Sequence, residues 1–255
     1  MRGIILILVL VFSMMSQTIH GKESQENSHF DKKNSFSAKG GYHIFMDSGF
    51  TDAWNPSRQA INESNINDSG DMNGGVGELA YERILYENIL GAEIAIGYFI
   101  AGKNYNYLIT SGGSTTTSST DIKIESLYIS PSFKLHLPVL DSFAFYAGGG
   151  PDYYKTWIRH GIQSGSASVN REGTFNTFGF HGLGGVDWFV FKKPSEGEYD
   201  IPLSLFAEYK YTRVKVNDAD KAIIDYTNMS TGSAYSKNDL EIGGHSLLFG
   251  VRWHF

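Results

Sequence analysis

The chain has 255 residues, a formal charge of −6, no cysteine, and 41% hydrophobic and 14% aromatic residues. So mild an acidic balance argues against nucleic-acid binding. Without cysteine, neither a disulfide framework nor a lipid anchor on an N-terminal cysteine is available.

The N-terminus carries one basic residue, Arg2, then the apolar run Ile4 to Met15 and the more polar stretch Ser16 to Gly21. That order reads as a secretory signal peptide over 1–21, and the run is short of the roughly 20 apolar residues a spanning helix needs. Removing it takes away Arg2 and moves the formal charge from −6 to −7. Residues 22–34 read as a polar periplasmic lead-in, and 35–255 as one domain. Its most apolar stretch, Ile89 to Ala101, is interrupted by Glu93. A membrane form of this chain therefore has to cross as strands, because only helices and closed barrels satisfy every backbone group in lipid.

Period-2 alternation predicts eight strands. The first two, near Phe36–Met46 and Gly75–Leu85, direct Lys39 and His43, then Glu78 and Glu82, to one face. In the third, Leu90, Ala92, Ile94, Ile96 and Tyr98 oppose Gly91, Glu93, Ala95 and Gly97. The fourth opposes Leu127, Ile129, Pro131, Phe133, Leu135 and Leu137 to Ser126, Tyr128, Ser130, Ser132, Lys134 and His136. The fifth sets Phe143, Phe145, Ala147 and Tyr153 against Tyr146, Gly148, Gly150, Asp152 and Thr156. In the sixth, Phe178, Phe180, Val186, Trp188 and Val190 oppose Thr177, His181 and Asp187. The seventh turns Ile201, Leu203, Leu205, Ala207, Tyr209 and Tyr211 away from Ser204, Phe206, Glu208, Lys210 and Thr212. The eighth aligns Leu247, Phe249, Val251, Trp253 and Phe255 against Ser246, Gly250, Arg252 and His254, with Leu248 as the exception.

The connections 48–74, 86–88, 103–121, 138–141, 160–175, 192–200 and 217–243 alternate long and short. Outer-membrane barrels do this, with short periplasmic turns and long extracellular loops. The long ones are rich in Ser, Thr, Asn, Asp and Gly, as in Ser111 to Ser119, a composition that favours solvated loops. The expected fold is all-β: an eight-stranded antiparallel up-and-down transmembrane β-barrel, with both chain ends on the periplasmic side. A soluble lipocalin-like barrel would instead turn the apolar faces inward.

The terminal alternation Phe249, Val251, Trp253, Phe255, together with Gly148-Gly149-Gly150-Pro-Asp-Tyr-Tyr, Gly182-Leu-Gly-Gly-Val186 and Glu208-Tyr-Lys-Tyr211, resembles the small bacterial outer-membrane β-barrel family. That family contains the outer-membrane protein A barrel domain and the opacity-type surface proteins. The resemblance covers about residues 35–255 and implies a place in the outer membrane of a Gram-negative cell. It also implies contact with membrane lipid and lipopolysaccharide, and recognition of Val251, Trp253 and Phe255 by the barrel-insertion machinery. Members act as adhesins, membrane stabilisers, narrow pores and, occasionally, lipid-modifying enzymes.

The inward set is then Lys39, His43, Glu78, Glu82, Glu93, Lys134, His136, Asp152, His181, Asp187, Glu208, Lys210, Arg252 and His254. Eight strands leave an interior just wide enough for side chains, so these groups are expected to form a polar network that fills the lumen. No catalytic, cofactor-binding or metal-binding residues are expected. His245 and Ser246 are adjacent and point to opposite faces. His160 and Ser164 lie near a loop without an acidic partner, and the His-x-Ser-Asn arrangement of the family's lipid A deacylases is absent. The histidines show no metal-site spacing, and the glycine clusters open no helix that could cradle a phosphate. A structural or adhesin-like role with an extracellular ligand at the loops is the expected function; a narrow porin-like channel is the alternative.

Overall fold

The computed structural model describes residues 32–45, 67–68, 73–87, 89–111, 114–140, 142–189, 202–222 and 239–255. The expected signal peptide, Val190, Ile201 and the turn at 192–200 lie outside these residues. Eight long strands form one antiparallel sheet. They are β1 (Asn34–Phe45), β2 (Asn73–Tyr86), β3 (Leu90–Ser111), β4 (Ser114–Leu140), β5 (Phe143–Ser164), β6 (Ala167–Phe189), β7 (Leu203–Asn217) and β8 (Gly244–His254). Each strand pairs with its sequence neighbours, and β1 pairs with β8 from Ser35↔His254 to Phe45↔Gly244, which closes the ring. Two short strands lie outside it: Asn67–Asp68 pairs with β3, and Asp239–Glu241 pairs with the end of β7.

Closure leaves an apolar exterior. Phe178 is 76% exposed, Phe180 71%, Leu79 67% and Phe133 64%. At about 1.5–3 kcal/mol for each large apolar side chain removed from water, such a band requires a hydrocarbon surrounding. On β6 it runs from Trp188 to Phe178, the roughly 9–11 residues that a tilted strand needs to cross a bilayer. Charged and polar side chains take over beyond it, at Lys155 and Arg159 on β5 and at Glu172 and Asn176 on β6. The lipocalin-like arrangement would have the opposite polarity.

Two of the expected long loops are not loops. β3 and β4 pair without a break from Leu90↔Leu135 to Ser111↔Ser114, and β5 and β6 from Phe143↔Trp188 to Ser164↔Ala167. The regions 103–121 and 160–175 are therefore tall hairpins that carry the barrel wall beyond the apolar band. Their Ser/Thr composition reads as solvated loop, but β-branched Thr115–Thr117 and Thr120 suit a pleated surface. The β5–β6 hairpin closes through Gly165, whose φ of +57° is a backbone conformation that favours glycine. The other end is trimmed by short connections at 87–89 and 141–142.

The interior has two tiers. Toward the short turns it is polar. Toward the hairpins it becomes an apolar plug of Val76, Phe99, Ile122, Ile124, Ile158, Val214, Val216 and Leu248. Both described ends of the last long connection enter this plug, through Ala219 and Ala222 on one side and Leu240 and Ile242 on the other. Leu248, the one break in the alternation of β8, is fully buried there.

Candidate functional site: the polar lumen

The inward side of the barrel is built over glycines. A side chain at Gly97 would collide with the Tyr128 ring, one at Gly185 with Tyr146, and one at Gly250 with Phe206. Each large inward ring thus occupies the space left by a glycine on the adjacent strand. This allows Tyr128 and Tyr146 to reach the charged groups at the barrel axis.

Three ammonium groups and three carboxylates meet there. Lys39 Nζ lies 2.6 Å from Glu208 Oε1 and 2.8 Å from Glu78 Oε2. Lys134 Nζ donates to Glu93 Oε2 at 2.5 Å and lies 3.5 Å from Glu208 Oε2. Lys210 Nζ donates to Glu78 Oε1 at 2.8 Å and to Ser130 Oγ at 3.3 Å. Tyr128 and Tyr146 donate their hydroxyls to Glu78 and Glu208 at 2.6 and 3.1 Å. Lys210 also stands over the Tyr128 ring and Lys134 over the Tyr146 ring.

Nearer the short-turn end, Arg252 Nη1 donates to Asp187 Oδ2 at 2.5 Å and lies 3.8 Å from Glu82 Oε2. Its guanidinium is held between the rings of Tyr146 and Phe206. His136 Nε2 is 2.5 Å from Glu82 Oε1. Ser204 donates to Asp187 at 3.4 Å and lies 3.0 Å from His254 Nε2. Toward the plug, His43 contacts Ser246 Oγ at 2.8 Å and stacks on Phe99.

Of the fourteen inward residues named from the sequence, thirteen are buried; His254, at the mouth, is half-buried. Every strand contributes. The structure adds Tyr128, Tyr146, Ser130, Ser132 and Ser204 to the charged set. Their position parity was readable, but their partners depend on register. Two spaces within the described polar interior are small: one of about 30 Å³ at the mouth beside Glu82, His136, Asp187 and Arg252, and one of about 10 Å³ beneath the plug. A water needs roughly 10–15 Å³ by the same measure, so each has room for no more than a few waters.

Sequence reasoning also missed one local arrangement. Ser132, Asp152 and His181 come from three strands and share no short motif. Yet His181 Nε2 is 2.8 Å from Ser132 Oγ, and His181 Nδ1 is 2.8 Å from Asp152 Oδ1. Gly150 makes this possible. It pairs with His181 on one side, and a Cβ there would strike Pro131 O and crowd Ser132 Cα of β4 on the other. Ser130 donates to the same oxygen of Asp152.

No family model and no curated protein matches the chain. Among solved structures it is similar to the outer membrane protein OprG from Pseudomonas aeruginosa, with 13% identity and a TM-score of 0.43 over 88% of this chain and 97% of that one. It is also similar to Neisserial surface protein A, with 15% identity and a TM-score of 0.38 over 87% of this chain and 97% of that one. A further likeness is to Ail, the attachment invasion locus protein of Yersinia pestis, with 10% identity and a TM-score of 0.35 over 88% of this chain and 99% of that one.

Proposed function

We propose that this protein is an integral outer-membrane β-barrel that presents its long hairpins at the cell surface and does not conduct through its lumen. The observation that carries this reading is the filled interior. An ion network drawn from all eight strands occupies one tier and an apolar plug the other, and the spaces at the mouth and beneath the plug are water-sized. A pore for small solutes would need those pairs broken, and removing one partner of a buried pair costs about 3–5 kcal/mol.

In this role the apolar band meets membrane lipid and lipopolysaccharide, and Val251 and Trp253 on the outer face of β8, with Phe255 just past its end, serve as the signal for barrel insertion. An extracellular ligand would meet the β3–β4 and β5–β6 hairpins, which among the described residues extend well beyond the band. Single-channel recording in planar bilayers tests the closed-lumen reading. Purified, refolded protein is expected to give a flat current trace, and reproducible conductance steps would overturn the reading in favour of a narrow channel.

A further inference from the structure

Above the apolar band, the outer wall of β4 and β5 sets two cations against each other. Outward side chains run Ile129, Leu127, Glu125 and Lys123 on β4, and Tyr153, Lys155, Trp157 and Arg159 on β5. Lys123 and Arg159 are direct cross-strand partners, and like charges so placed destabilise a sheet. The carboxylates beside them offset little of this. Lys123 Nζ lies 3.0 Å from Glu125 Oε1, an oxygen that also accepts the Tyr98 hydroxyl. Arg159 Nε stands 3.7 Å from Glu172 Oε2, beyond hydrogen-bond length, with both side chains more than half exposed. Exposed pairs of this kind are weak and screened by salt.

A groove of about 740 Å³ opens beside Lys123. Its outward side chains include Tyr42, Ile100, Asn104, Asp121 and Lys123, over a floor of Gly75 and Gly102. The inward residues behind that floor, Ala101 and Ile122, belong to the plug and are 2% exposed, so the groove faces outward and is sealed from the lumen. Register grades its chemistry. Tyr42 pairs with Gly75 and Gly75 with Ile100 at the edge of the band, whereas Asn104 pairs with Asp121 four residues farther along β3. The lower end therefore offers apolar and aromatic contact, and the upper end amide, carboxylate and ammonium groups. A second groove, of about 470 Å³, adjoins Arg159 over Gly161.

We infer that this outer-wall site binds the phosphorylated saccharide headgroup of an outer-leaflet glycolipid, with Lys123 and Arg159 sharing a phosphate and the sugar lying in the groove over Gly75 and Gly102. A phosphate between the two cations removes the like-charge conflict and accepts charge-assisted hydrogen bonds from both. Asn104 and Asp121 face the sugar hydroxyls. Height selects the headgroup. Lys123 lies four residues beyond Leu127, and Arg159 six beyond Tyr153, the last band residues of their strands. At the rise and tilt of barrel strands this is about 10–15 Å up the wall. The headgroup layer of a simple phospholipid adds only about 5–8 Å per leaflet and falls short of that level. A saccharide between acyl chains and phosphate spans it. Trp157, at the intervening height, suits a headgroup layer, where amphipathic rings prefer to sit. The assignment rests on the outer-membrane reading above, gives it a specific bound lipid, and leaves the lumen closed.

The test uses the full chain refolded in detergent micelles, its barrel first verified by compact migration of the unheated sample, so that a failed fold is told apart from a folded barrel without a site. Native mass spectrometry with added diphosphoryl lipid A is expected to show a retained lipid adduct. Phosphatidylglycerol and dephosphorylated lipid A should be shed at the same collision energy, and excess inorganic phosphate should not displace the bound lipid. Lys123→Gln with Arg159→Gln should weaken retention about tenfold or more, as the loss of two charge-assisted contacts implies. Gly75→Leu tests the groove. A Cβ at Gly75 meets nothing within 4 Å, so the fold accepts the side chain while the groove is filled, and retention should fall with migration unchanged. Lys221→Gln, which removes an exposed cation paired with Asp218, should retain lipid like the wild type. The inference is overturned if the folded barrel sheds lipid A as readily as phosphatidylglycerol, or holds the dephosphorylated form equally well. Displacement by inorganic phosphate, or wild-type retention in either the double variant or Gly75→Leu, also overturns it. None of these outcomes alters the conductance result, which tests the closed lumen separately.

Discussion

Arg252 is fully buried between two aromatic rings, and its charge is answered chiefly by Asp187. Removing a single partner from such a pair leaves a desolvated ion, which costs far more than the pair itself contributes. Asp187→Ala is therefore expected to lower stability by about 3–5 kcal/mol, read as the urea midpoint of the refolded barrel. Replacing both partners, Asp187→Leu with Arg252→Met, should recover much of that loss. A double variant as unstable as the single one would contradict the assignment. At this scale the sequence was informative about direction and silent about partners. Alternation placed Lys39, Glu78, Glu208 and their neighbours on one face. That Lys39 would meet Glu208, 169 residues away, or that Ser132 would meet His181, follows only from strand register, and register is a property of paired strands that no single segment carries.

At the scale of the element, the eight strands were legible because each has one lipid face and one polar face. The tall hairpins were not, since beyond the apolar band both faces can be polar and period 2 fades. Backbone pairing instead of loop has a measurable consequence: amides over 115–121 should exchange slowly with solvent, as those of the membrane-spanning wall do. Exchange at free-peptide rates would restore the loop reading.

The β5–β6 hairpin also carries a pH dependence. His160 lies beyond the apolar band, next to Thr120, and burial pushes its imidazole down from 6.5 to about 4. Between those values the unfolded segment binds a proton that the folded one does not. The stability His160 contributes is thus complete above about pH 6.5 and declines as the pH falls toward 4. Amides flanking His160 should lose protection at pH 5 relative to pH 7 once intrinsic rates are corrected, and His160→Gln should abolish the difference. Equal protection in the wild type at both values would contradict this account.

For the whole molecule, the two interior tiers divide the work of closure. The ionic tier is specific, since Lys39, Lys134, Lys210 and Arg252 each meet a carboxylate from another strand. The apolar plug joins the hairpins to the last long connection through Ala219, Ala222, Leu240 and Ile242. Nothing in the composition of 217–243 announced that link, because these four residues lie in two short stretches at opposite ends of the connection and meet only when β7 and β8 are side by side. The closed shape and the apolar exterior together make one direct demand. Refolded into lipid vesicles and kept unheated in detergent, the chain should migrate on a gel as a compact species, faster than after boiling, because a sealed hydrogen-bond ring resists the detergent until heat opens it. Identical migration of the unheated and boiled samples would contradict the closed membrane barrel from which the rest of the account follows.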